Sequence, residues 1–174
     1  SGWRKIVGQV IVAVPFGVLA LNFPNSVGQT PASPYISFFR DIPMLSFLAL
    51  GTVIGWIAYL VWISFLSVAW SNATNLTDGL DGLATGAGIF TVSAYSLVTF
   101  WQFQQRCTSE ALVTAYQAAC YDTADPMDLT IIAASFVGAL VGFLWWNAPK
   151  AKIFMGDVGS MAIGGVIAAI DRKS

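Results

Sequence analysis

The chain has no histidine, only two cysteines, and charge on just 10% of its 174 residues. Without histidine, Ser-His-Asp chemistry, zincin motifs and haem held by histidine are excluded. Soluble domains carry charge on about a quarter of their residues. Such a low share, beside 56% hydrophobic residues and a mean hydropathy of +0.70, excludes an ordinary soluble composition. Lysine and arginine together number 8 and are scattered, so there is no basic patch for nucleic acid. No Walker loop occurs, and the run from Asn75 to Gly82 lacks the acidic spacing and terminal glutamate of an EF-hand.

What is present is a series of long uncharged runs. No Asp, Glu, Lys or Arg occurs from Ile6 to Phe39, Ile42 to Thr77, Gly82 to Gln105, Leu129 to Pro149 or Val158 to Ile170. A helix needs about 20 apolar residues to cross roughly 30 Å of hydrocarbon. Residues 44–70, 83–103 and 129–146 meet that length and are expected to span a membrane. Residues 6–23 are a further expected span, with Trp3, Arg4 and Lys5 as interfacial anchors. Residues 154–170 complete the set if their helix begins near Phe154. The expected fold is therefore all-α: one polytopic integral membrane helix bundle over 1–174, with about five transmembrane helices. Were these runs buried helices of a soluble domain, so small a chain would have too little polar surface to cover them. A cleaved secretory signal is also a poor fit, because residues 6–23 lead into no small-residue cleavage site.

A cytoplasmic N-terminal end would put loops 24–43 and 104–128 outside, and loops 71–82 and 147–153 inside. Arg4, Lys5, Lys150 and Lys152 then lie inside, while Asp41, Glu110, Asp122, Asp125 and Asp128 lie outside, in keeping with a positive-inside bias. Arg40, Arg106, Arg172 and Lys173 run against it. Loop 24–43 is rich in Pro, Ser, Asn and Gly and reads as an irregular connection. Loop 104–128 holds Cys107 and Cys120, either as a disulfide or as two thiols.

Chemistry concentrates at two membrane boundaries. In the first, Ser71 to Ala84, polar groups recur every three residues as Asn72, Asn75, Asp78 and Asp81. On a continuous helix these would form one stripe of oxygen ligands. Gly79 and Gly82 flank the carboxylates and would admit a ligand close to the backbone. In the second, Asn147 to Ser160, Asp157 lies near Gly156 and Gly159, with Lys150 and Lys152 upstream. Carboxylate oxygens suit Mg²⁺, and the lysines suit phosphate. Helix capping accounts for one such Asn or Asp at a time, but not for the whole set. Acidic groups at a membrane boundary are functional candidates. Trp56, Trp62, Trp101, Trp145 and Trp146 read as lipid-facing or interfacial.

Two stretches, Asn75-Leu-Thr-Asp-Gly-Leu-Asp-Gly-Leu-Ala84 and Phe154-Met-Gly-Asp-Val-Gly-Ser160, closely resemble signatures of the phospho-N-acetylmuramoyl-pentapeptide transferase family. The order of the motifs, the span and outer loop between them and the trailing Ala162-Ile-Gly-Gly165 extend the resemblance over essentially the whole chain. Ala119-Cys-Tyr-Asp122 and Phe143-Leu-Trp-Trp-Asn147 look like actinobacterial members in particular. The resemblance implies a bacterial plasma-membrane enzyme of peptidoglycan synthesis with about ten spans and its active-site loops in the cytoplasm. UDP-N-acetylmuramoyl-pentapeptide and undecaprenyl phosphate would give the lipid-linked product, lipid I, and UMP, with Mg²⁺ required. Carried over by motif, Asp157 would bind the metal, and Asp78 and Asn75 would line the catalytic cleft. Gly79, Leu80 and Asp81 would meet the uracil, Phe154 would stack on it, and Asn72 and Asn147 would support the nucleotide pocket. A second copy of the chain is a further candidate partner.

The family also has an upstream acidic pair with a lysine and a downstream histidine-rich loop, neither of which occurs here. The chain is thus expected to be a central fragment, inactive alone. One alternative is a relative that transfers N-acetylglucosamine phosphate to the same carrier, although its first motif usually differs from Asn-Leu-Thr-Asp-Gly. Another is a cation- or proton-coupled transporter using intramembrane carboxylates. A third is a membrane scaffold, which needs no polar stripe.

Overall fold

In a computed structural model of the chain, residues 2–25, 28, 30–32, 35–37, 41–105 and 124–171 are described. They hold five α-helices: α1 (Gly2–Asn22), α2 (Thr52–Thr77), α3 (Leu83–Gln104), α4 (Pro126–Asn147) and α5 (Gly156–Asp171). Cys107 and Cys120, with the question of their pairing, lie outside the described residues. Helices α1 to α4 are 21, 26, 22 and 22 residues long and apolar enough to cross a membrane; α5 has 16 residues. The protein is a multi-pass membrane protein whose architecture is predominantly helical.

Its surface shows the same preference for lipid. Phe90, Leu97, Trp145 and Ile131 are exposed on α3 and α4. Water would make such a surface an aggregation hazard, whereas hydrocarbon solvates it. Backbone polarity is answered inside each helix, as a bilayer demands.

Two compact units divide the described structure, Ser1–Ala69 and Trp70–Ser174. In the first, buried Ala20, Ala32, Tyr59 and Ile63 form the core, with Leu21, Phe47 and Leu60 against it. A short antiparallel ladder also occurs here, β1 (Tyr35–Ser37) with β2 (Asp41–Ser46), pairing Tyr35 with Ser46 and Ser37 with Asp41. The stretch expected to be an irregular loop therefore has some extended pairing. Residues 44–50, assigned on apolarity to a span, finish this strand and form a 3₁₀ turn, Phe47–Leu50. The Ser46 hydroxyl caps that turn by accepting from Leu48 N at 3.2 Å. Gly51, at φ 92°, then ends it, and α2 begins at Thr52. At the other end α2 continues through polar residues to Thr77, with the Thr74 and Thr77 hydroxyls donating to Trp70 O and Ala73 O at 2.9 Å each.

In the second unit α3, α4 and α5 share a core of Val92, Leu129, Ala133, Leu140, Ile163, Ile167 and Ile170. Two polar contacts cross it: Thr99 Oγ1 to Thr130 Oγ1 at 2.8 Å, and Tyr95 Oη to Asp171 Oδ1 at 2.5 Å. The C-terminal turns of α2 join through a close backbone approach. A Cβ on Gly164 would lie 2.5 Å from Ser71 Cα and 2.6 Å from Ser71 N. Ser71 Oγ donates to Met161 O at 3.2 Å beside it. The end of α2, the start of α3, the end of α4 and the start of α5 thereby converge at one end of this unit.

Candidate active site

Both polar motifs meet at that convergence. Asn75, on the last turns of α2, donates from Nδ2 to Asp157 Oδ1 at 2.8 Å and to Ser160 Oγ at 2.9 Å. Asp157 lies in the first turn of α5, where the helix dipole favours a negative charge. Asp78 follows α2, with its backbone N–H still donating to Thr74 O at 3.2 Å. Partial burial first, and the charge of Asp157 second, push the Asp78 carboxyl above the ordinary carboxylate range. Asp78 and Asp157 are therefore close enough to repel one another.

The expected stripe does not extend to Asp81. Helix α2 stops at Thr77, and the chain turns through residues 78–82 before α3. Gly82, at φ 77°, makes the reversal. Its left-handed backbone is costly for any residue with a Cβ, so the turn itself calls for glycine here. Past the turn, Asp81 faces the loop after α4 and accepts from Ala151 N at 3.1 Å.

Asn147 ties the same two loops together from beneath. It is 3% exposed, and its Oδ1 accepts from Thr85 Oγ1 at 2.9 Å and Gly82 N at 3.2 Å. Its Nδ2 donates to Ile153 O at 3.0 Å. With its amide engaged on both sides, Asn147 holds these two loops together. The loop it closes carries Lys150 at φ 66°, and Lys152, whose Nζ stands 5.3 Å from the Trp146 ring centroid. Asn72 lies half-buried on α2, one turn before Asn75. Gly79 is exposed, as are the apolar side chains of Leu80 (70%) and Phe154 (76%).

Asn75, Asp78 and Asp157 thus form one group, and Asp81 and Asn147 a second that braces the loops. The sequence reading did not single out Ser160, Thr85 or Ser71. Ser160 only closed the second motif, and nothing local marks Thr85 as the partner of an asparagine 62 positions away.

Residues 1–172 match the family model described as glycosyl transferase family 4. Among curated proteins, a phospho-N-acetylmuramoyl-pentapeptide-transferase of Clavibacter sepedonicus is 55% identical over 173 residues, covering 98% of this chain and 46% of that protein. Proteins of the same name from Corynebacterium efficiens and Beutenbergia cavernae are 50% and 52% identical, over 98% and 95% of this chain and 45% of each protein. The chain spans about half the length of the curated relatives it matches. The resemblance carried by the two motifs therefore extends along the whole sequence, and the chain belongs to glycosyl transferase family 4.

Proposed function

We propose that this chain supplies part of the active site of an enzyme that moves phospho-N-acetylmuramoyl-pentapeptide from its UDP conjugate to undecaprenyl phosphate. The observation that carries the reading is the Asn75 to Asp157 hydrogen bond, 2.8 Å long across 82 positions, which draws both motifs into one acidic site beside Asp78. In this reaction an oxygen of the lipid phosphate forms a bond to the β-phosphorus of the nucleotide sugar. The bond from that phosphorus to the bridging oxygen breaks, and UMP leaves with the electron pair. Catalysis of such a transfer is mostly placement and charge stabilisation.

Asn75 and Asp157 set one wall of the cleft. The turn Gly79-Leu80-Asp81 and exposed Phe154 offer the uracil a backbone edge, a carboxylate and an aromatic face. Lys150 and Lys152 bring positive charge on the loop that Asn147 holds. Cytoplasmic placement of loops 71–82 and 147–153 goes with the soluble nucleotide substrate.

The donor set also fits Mg²⁺. The described residues hold no cluster of three or more His, Cys, Asp or Glu side chains for a metal. Two neighbouring carboxylates remain, Asp157 and Asp78. Mg²⁺ is commonly held by one or two carboxylates, completed by waters and substrate phosphates. When bound, the ion would neutralise phosphate charge.

Grafting provides the test. The chain replaces the matching segment of the Clavibacter sepedonicus relative, and UMP release is followed with both substrates and Mg²⁺. Turnover is expected, with Asp157→Asn lowering it at least a hundredfold. A folded graft that releases no UMP would overturn the reading.

A further inference from the structure

Ser160 has no part in the reaction outlined above, yet its hydroxyl lies at the centre of the bonds that fix Asp157. The side chain is fully buried, at 0% exposure. Its oxygen is 3.0 Å from Gly156 O and 3.4 Å from Asp157 O, and it accepts from Asn75 Nδ2 at 2.9 Å. We propose that Ser160 is a positioning residue which, acting through the Asn75 amide, orients the Asp157 carboxylate toward a divalent cation. The inference rests on the reading of Asp157 as a cation ligand.

The polarity of this set is determined by chemistry. An ionised carboxylate can only accept, so the nitrogen of the Asn75 amide must face Asp157. That nitrogen has two hydrogens, and the structure gives each a partner, Asp157 Oδ1 and Ser160 Oγ. Ser160 accepts one of them, and its own proton goes to Gly156 O. The order runs from Asp157 through Asn75 and Ser160 to the backbone of α5's first turn.

A serine bonding back to the carbonyl four residues earlier is ordinary in helices and would explain the Gly156 contact alone. It does not explain why the same oxygen accepts from a residue 85 positions away. With Ser160 closed to solvent, bulk water is shut out from replacing the lost acceptor. Removing the hydroxyl releases one of the two restraints on the Asn75 amide, leaving that amide free to turn away from Asp157.

The test uses the 174-residue chain in nanodiscs, with Mn²⁺ as the probe and free Mn²⁺ measured by electron paramagnetic resonance. Ser160→Ala is expected to weaken Mn²⁺ binding about tenfold, the scale on which groups behind a ligand act. Ser160→Thr, which keeps the hydroxyl, should restore it. Asn75→Ala combined with Ser160→Ala should bind no more weakly than Asn75→Ala alone, because the serine acts only through the amide. If Ser160→Ala gives no cooperative melt, Ser160→Cys replaces it, with a similar shape and a weak acceptor.

Unchanged affinity in the serine variant, or multiplied losses in the double variant, overturns the inference and leaves the cation site standing. Wild-type affinity no greater than that of Asp157→Ala removes the cation reading and the inference with it.

Discussion

Partial burial and a like charge nearby both make a carboxyl harder to ionise, and Asp78 shows the effect. Desolvation is the larger cause, so removing Asp157's charge should relieve the shift only in part. Asp157→Asn is expected to lower the Asp78 pKa toward its ordinary value, read from the carboxyl carbon shift of labelled aspartate against pH. An unchanged titration would mean that the two carboxylates do not interact. The consequence for stability has a definite sign. A raised carboxyl binds its proton more tightly in the folded chain, so its ionisation opposes folding above the raised pKa. That opposition is relieved as pH falls through the raised value toward the unfolded one. Asn147 presents the opposite situation, a neutral amide whose cost lies in what its loss would strand. Asn147→Ala leaves Thr85 Oγ1, Gly82 N and Ile153 O without this partner. Thr85 among them is fully buried, and a stranded buried group costs about 1–3 kcal/mol, so denaturant unfolding in detergent should show a loss of that order. Asn147→Asp keeps the acceptor for Thr85 and Gly82 but turns a buried carboxylate oxygen toward Ile153 O, so it should cost at least as much. None of these pairings was legible in the sequence. The motifs announced which residues are polar, but not that Asn75 reaches Asp157 or that Asp81 turns away to Ala151. Long-range partners depend on how helices pack, which local spacing does not encode.

At the scale of elements, the uncharged runs foretold the helices best where apolarity was their only property. Residues 83–103 became α3 at Leu83–Gln104, and 129–146 became α4 at Pro126–Asn147. Residues 44–50 misled because apolarity suits a strand or a 3₁₀ turn as well as a helix. Residues 71–77 misled in the other direction. Threonine hydroxyls bond back to the helix there, so a polar sequence remains helical. Close helix approach is a further feature that composition hides. Gly164 and Gly165 look alike in sequence, but a Cβ on Gly164 would collide with Ser71 backbone and Trp70 O, whereas one on Gly165 meets only Ser71 Oγ at 3.9 Å. Backbone cannot step aside as a flexible side chain can. Gly164→Ala is therefore expected to destabilise the chain by about 1–3 kcal/mol, as overpacking does, and to disturb the Ser71 to Met161 bond. Gly165→Ala should be close to neutral. Equal melting temperatures for the two variants would contradict the close approach.

On the scale of the whole molecule, the reaction requires one end of the helices to face the nucleotide. Loops 71–82 and 147–153 are held together by the Asp81 to Ala151 and Asn147 to Gly82 bonds, so they must lie on the same side of the membrane. A span of about 20 residues separates each from the chain beyond α3 and before α4. Single cysteines placed at Gly79, Lys150, Gln105 and Asp125, with Cys107 and Cys120 changed to serine, turn this into a labelling pattern. In inside-out vesicles an impermeant maleimide should label positions 79 and 150 and spare 105 and 125; right-side-out vesicles should give the reverse. The reversed pattern would place the acidic site outside, away from any cytoplasmic nucleotide, and the proposed substrate would have to be abandoned. Labelling of 79 and 150 from opposite sides would go further and contradict the two bonds that join their loops.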